Sequence, residues 1–221
     1  MATTLRRTLR GTRSPRMPNT PVEYDRHMLD QLTNILRIYF NELDNFTQSL
    51  ISGDGGKFLS APYGAFQDTT TQTAVINTAT PMQFDTVDFA NEVYISGGTK
   101  IRVDNAGIYN LQWSAQFENT DNAPHDISVW LRQGNDGGTA VDIPGSTGVL
   151  GLPPRKSIGD PFHSVFGWNY FVSLNIDDFI EIYWSTDSAL VLMPAYPISG
   201  APVRPTTASV VVSMSFVSAL P

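Results

Sequence analysis

Cysteine is absent from the 221 residues, which excludes disulfides, zinc–thiolate centres and thiol nucleophiles and leaves stability to packing or oligomerisation. No apolar run reaches the length of a membrane-spanning helix, and the N-terminus lacks the apolar core of a secretory signal. The sequence therefore reads as a soluble, unexported chain with no membrane partner. Charged residues make up only 16%, which with abundant Gly, Pro, Thr, Ser and Val points away from helices in the bulk of the chain and toward strands and turns. Acidic side chains are missing altogether before Glu23. That gap coincides with five arginines, Arg6, Arg7, Arg10, Arg13 and Arg16, in a chain whose net charge is −7. The remainder is more acidic still, so the charge is split between a basic arm (1–20) and an acidic body, a pattern of tails that meet a partner of their own. The arm has the Arg, Thr and Ser content of a transit peptide, but Gly11, Pro15 and Pro18 interrupt any amphipathic helix beyond Arg10.

After the arm the pattern becomes helical. Thr20, Pro21 and Glu23 suit a cap, a first helical position and the reciprocal acid of a capping box. From there Leu29, Leu32, Leu36, Tyr39, Leu43, Phe46 and Leu50 recur at alternating intervals of three and four, the heptad spacing that keeps one seam toward a partner helix. An amphipathic helix over 21–51 that lies on its own domain satisfies the same stripe. Met28, Ile35, Ile38 and Phe40 widen the apolar face beyond the seam and favour self-association. A Gly-rich linker over 52–65 then separates the helix from the body.

Beyond residue 66 the period changes to two. Tyr109, Leu111, Trp113, Ala115 and Phe117 alternate with Asn110, Gln112, Ser114 and Gln116, and Val210, Val212, Met214 and Phe216 recur at every second position against Ser213 and Ser215. Further strands are expected over 74–76, 89–95, 100–103, 127–132, 165–174 and 179–184. Turn signals at Gly97-Gly98, 105–107, 135–138 and 175–178 separate them. About eight short strands without helices imply a two-sheet sandwich or jelly roll over 66–221. Two long loops, 134–161 and 185–207, are expected to carry binding or packing roles, and Tyr196 and Arg204 mark the second as an exposed contact loop.

Chemistry-bearing motifs are scarce. His27, His125 and His163 stand in no catalytic motif, and surface or packing roles are expected of them. Asp177 and Asp178 are adjacent in a turn, where their side chains diverge. The glycine clusters lack the Lys-Ser/Thr ending of a phosphate loop, and the 121–126 stretch lacks the spaced carboxylates of a calcium site. Trp113, Trp130, Trp168 and Trp184 fall within strand patterns, where core and subunit contacts are the commoner roles, although a carbohydrate or base-stacking platform uses the same residues. No catalytic residue, metal or cofactor is assigned, and an enzyme is not expected. Nucleic acid is not an expected partner either, because the arm has no aromatic residue to stack on bases and the body repels phosphate.

Four stretches, "VDNAGIYNLQWSAQFEN", "ISVWLRQG", "FVSLNIDDFIEIYWSTD" and "SVVVSMSFVSAL", resemble the C1q/TNF-like jelly rolls, with Gly107-Ile108-Tyr109 as the Gly-x-Tyr step that opens a central strand. The segment "EYDRHMLDQLTNILRIYFNELDN" resembles the start of small virion proteins of tailed bacteriophages, where an arm and a short helix precede such a barrel. The resemblance implies a mainly β, homotrimeric, non-enzymatic virion protein made in the host cytoplasm. Two roles are open: a capsid decoration (cement) protein gripping the major capsid protein or another virion protein, or a short tail or head fibre whose loops bind the host.

Overall fold

The computed structural model describes residues 14–19, 23, 25–51, 61–135 and 137–220, with the side chains of 49–51 excepted. The chain separates into two compact units, Met1–Ser60 and Ala61–Pro221.

Among the described residues of the first unit a helix, α1 (Arg26–Ile51), carries the heptad stripe. It begins five residues later than the expected boundary. Asp25 supplies the cap, its carboxylate accepting from the His27 backbone N–H at 2.9 Å while its carbonyl accepts from Leu29 N–H at 3.2 Å. Thr20 and Pro21, on which the earlier start was expected, lie outside the described residues. An ionised carboxylate is at least as good a cap as threonine, and residue type alone does not choose between two caps five residues apart.

The second unit is built of strands. In chain order they are β1 (Tyr63–Asp68), β2 (Gln72–Thr73), β3 (Thr80–Pro81), β4 (Thr86–Asn91), β5 (Val93–Ser96) and β6 (Lys100–Val103). Next come β7 (Gly107–Asn119), β8 (His125–Gly134), β9 (Val141–Asp142), β10 (Gly148–Leu152) and β11 (Phe162–Leu174). The chain closes with β12 (Phe179–Thr186), β13 (Val191–Met193), β14 (Ser199–Gly200), β15 (Val203–Arg204) and β16 (Val210–Ser218).

Two antiparallel sheets face each other. The first runs β4-β1-β16-β7-β11, with β2 and β13 prolonging the β1 and β16 lines toward the far end of β7. The second runs β5-β6-β12-β8-β10 and is flanked by β3 and β9. The chain crosses repeatedly between sheets and its last long strand returns beside its first, so the expected mainly β jelly-roll sandwich is what the second unit is.

The alternation visible in the sequence fills the space between the sheets. Tyr109, Leu111, Trp113, Ala115 and Phe117 of β7 are all buried, against Val210, Val212 and Met214 of β16. From the second sheet come Ile127, Val129 and Leu131 of β8 and Ile180, Ile182 and Trp184 of β12. Each buried Val, Leu, Ile, Phe or Met among them contributes about 1.5–3 kcal/mol by leaving water. The Tyr109 hydroxyl donates to the Asn105 carbonyl at 2.7 Å and its ring meets Phe216 edge-on at 5.6 Å, which ties the turn before β7 to the core. Burial, with Glu92 and Asp104 nearby, pushes the Tyr109 phenol up to about 12.

Several boundaries differ from the sequence-based expectation. The sandwich starts at Tyr63, inside the expected linker. The strand expected over 89–95 is two, β4 and β5, because Glu92 adopts a positive φ of 57° and breaks the line. Residues 74–76 are not a strand but run into a turn at Asn77, φ 54°. The loop expected over 134–161 contains β9 and the edge strand β10. Glycine obscured β10, yet a Cβ at Gly148 would lie 2.5 Å from the Trp168 ring and 2.6 Å from that of Phe166, so here glycine permits close packing. The stretch 185–207 likewise holds the end of β12, β13 and the β14–β15 hairpin. The turn expected at 175–178 forms, with Asn175 N–H donating to the Asp178 carboxylate at 2.8 Å and Asp177 at φ 66°.

Tyr109→Phe keeps the packed ring and strands the Asn105 carbonyl. Equilibrium urea unfolding is expected to show a loss of about 1–2 kcal/mol with an unchanged m-value.

Candidate functional site

A cleft of ≈ 490 Å³ opens on the outer face of the first sheet, within the size range of small-molecule sites. The period of β7 creates it. The odd-numbered residues of that strand enter the core, so Gln116 and Glu118 point the other way. Glu118 sits where three strands meet, with His163 of β11 opposite it on one side and Leu192 of β13 on the other. After β13 the chain brings Tyr196 back over this junction. Reciprocal backbone bonds to Thr207, at 2.9 and 2.8 Å, hold Tyr196 there, and β15 presents Arg204 beside it. Asp160 and Pro161, at the entry to β11, complete the rim.

Glu118 is nearly buried, 9% exposed, and a carboxylate so placed needs a donor. The Tyr196 hydroxyl supplies it, donating to the carboxylate. Burial first, and then this bond to Glu118, hold the Tyr196 phenol well above its ordinary pKa, so it remains a protonated donor. A phenol has one proton to give. The contact between Tyr196 oxygen and His163 Nδ1 at 3.3 Å is therefore made with Nδ1–H donating, the tautomer that also faces Glu118 at 3.7 Å. The His163 ring meets Tyr196 edge-on at 5.9 Å, and the Arg204 guanidinium lies 5.7 Å from the Tyr196 ring centre. Arg204 also donates to Thr207 Oγ1 at 3.2 Å. The result is a set of fixed donors and acceptors around one aromatic ring.

Tyr196 and Arg204, marked in the sequence as a contact loop, are thus brought together in one cleft, Arg204 exposed and Tyr196 half-buried. Nothing in the sequence pairs Glu118 with His163. They lie 45 positions apart, and only the β7–β11 register makes them neighbours. The period-two pattern of β7 does place Glu118 on the outer face, and that signal is local. Of the arm residues, Arg16 is exposed, while Arg6, Arg7, Arg10 and Arg13 lie outside the described residues. Along α1, Leu29 is exposed and Leu32, Leu36, Tyr39, Leu43 and Phe46 are half-buried; the side chain of Leu50 lies outside the described residues. No described side chain of the helix is buried.

Among the described residues no group of three or more His, Cys, Asp or Glu side chains is placed to hold a metal ion. No described helix is long and apolar enough to cross a membrane. No family model and no curated protein matches the chain. Among solved structures it is similar to the globular domain of zebrafish complement 1qA protein, with 12% identity and a TM-score of 0.45 over 72% of this chain and 99% of that one. At that score the strand order of the chain itself, and not the likeness, carries the fold.

His125 forms a second polar cluster. Its Nε2 lies 2.8 Å from Asp121 and its Nδ1 3.0 Å from Asp187, so one imidazolium joins the β7–β8 turn, the start of β8 and the end of β12. The bond to Asp121 raises the His125 pKa against the opposing effect of burial, and Asp187 adds to the rise. The bond from His125 lowers that of Asp121. His125 therefore stabilises the fold fully below its ordinary 6.5 and loses that contribution as pH rises through the raised value. Asp121 contributes fully above its ordinary 3.8 and fades as pH falls through the lowered value. The latch is complete between 3.8 and 6.5. The difference in urea midpoint between wild type and His125→Gln is expected to be largest in that window and to shrink on the alkaline side; a difference flat from about pH 5 to about pH 9 contradicts the assignment.

Proposed function

We propose that this chain is a non-enzymatic structural protein of a tailed-bacteriophage particle, a homotrimeric decoration (cement) protein. The basic arm and α1 attach it to the shell and the sandwich projects as a knob. The observation that carries the reading is the heptad stripe of α1. A 26-residue helix with apolar side chains at heptad spacing and none of its described side chains buried is suited to pairing with copies of itself. The number three comes from the resemblance of the strands to C1q/TNF-like trimers, and the particle from the resemblance of the arm and helix to virion proteins. Physically, assembly through α1 gathers several arms on one object, so modest contacts of each arm with an acidic shell groove multiply through effective concentration.

A second reading is a short tail or head fibre, and one observation favours it. Tyr196, Arg204, Glu118 and His163 converge on a single cleft, which a purely architectural knob does not need. The position of the protein on the particle separates the two: copies spread over the whole shell mark cement, and copies clustered at one vertex mark a fibre.

Deleting residues 1–19 is expected to leave a soluble, assembled protein that no longer attaches to particles lacking it, as read by co-sedimentation. Attachment undiminished by the deletion sinks the arm-anchored reading.

A further inference from the structure

We infer that the cleft between β7, β11 and the β14–β15 hairpin binds a neutral saccharide. Its lining argues against an ionic ligand. Two carboxylates, Glu118 and Asp160, and one guanidinium, Arg204, line it, and the Lys156 ammonium lies 3.7 Å from Asp160, so neither an anion nor a cation meets a field of one sign. What the cleft has instead is a mixture of hydrogen-bonding types. Gln116 donates its amide N–H to the Ala208 carbonyl at 3.1 Å, which leaves its oxygen as an acceptor. Glu118 spends one acceptor site on Tyr196 and retains others. Arg204 uses one N–H on Thr207 and keeps further donors in its fork. His163 turns its Nδ1 toward Tyr196 and Glu118.

A sugar hydroxyl both donates and accepts, and adjacent hydroxyls on a ring suit a carboxylate and a guanidinium side by side. The C–H edge of a sugar ring needs an apolar wall, which Tyr196 and the Pro161 ring provide. These groups are held before any ligand arrives: Tyr196 by its backbone pairing with Thr207 and its bond to Glu118, and Glu118 by the centre of a three-strand junction. Such preorganisation lowers the cost of binding.

Saccharide binding does not depend on the arm-anchored reading, because the arm lies in the other unit and loss of sugar binding leaves particle attachment intact. The test is a printed array of neutral, sulfated and sialylated oligosaccharides probed with the full-length chain, with and without inorganic phosphate as an ionic competitor. Neutral glycans are expected to be retained in the presence of phosphate. Glu118→Gln, which keeps an acceptor for Tyr196 and the fold, and Arg204→Ala, at an exposed position, are each expected to cut retention about tenfold or more, with unchanged melting temperatures. Retention of no neutral glycan, retention confined to charged glycans or abolished by phosphate, or equal retention by both variants and wild type would each overturn the proposal.

Discussion

Strand β7 is the constraint on which the rest of the sandwich depends. Thirteen residues long, it pairs with β11 on one side and with β16 and β13 on the other. Its period of two divides its labour. One set of side chains, from Tyr109 to Phe117, fills the core. The other carries Gln116 and Glu118 to the outer face, where the cleft forms. A slip of one residue would exchange the two sets, exposing aromatic rings and burying amides. The same hydrophobic requirement that fixes the register therefore also positions the carboxylate of the cleft. Tyr109 at one end and Asn119 at the other pin that register. Asn119, fully buried, donates to the carbonyls of Ala123 and Pro153 at 2.8 and 2.9 Å.

Legibility followed the reach of the signal. The heptad stripe of α1 and the alternation of β7, β8 and β16 are local, and each is readable from its own stretch of chain. Shorter elements are not. β10 hides behind Gly148 and Gly151, and β13 has only three residues, too few for a period to appear. The break between β4 and β5 turns on the backbone of Glu92, a residue type that gives no warning of a positive φ. The cleft is half legible. Tyr196 and Arg204 stand out in a stretch with little else of chemical interest, but their partners come from β7 and β11 through pairing between distant segments. The His125 latch escapes a linear reading for the same reason, since Asp187 is 62 positions away.

The two units solve the problem of apolar surface differently. The sandwich fills the space between its sheets with aromatic and aliphatic residues, while Val87 and Phe89 of β4 and Val165, Trp168 and Phe171 of β11 stay exposed on its surface. The helix, described by itself, has no such interior, with Ile38 at 50% and Phe40 at 55% exposure beside a seam of half-buried leucines. In a chain without cysteine, nothing covalent compensates. An amphipathic helix of this length gains most of its stability from what covers its apolar face. The proposed assembly supplies that cover from further copies of the chain, and in doing so gathers the basic arms that the acidic body would otherwise carry singly.

Self-association through α1 is thus the central claim, and the mass of the intact chain in dilute solution tests it most directly. Sedimentation equilibrium is expected to give three times the chain mass of 24.3 kDa for the wild type and the single mass when Leu36 and Leu43 are both replaced by Asp, with the β-sheet circular dichroism unchanged. A wild-type chain that sediments as a monomer throughout would contradict the account.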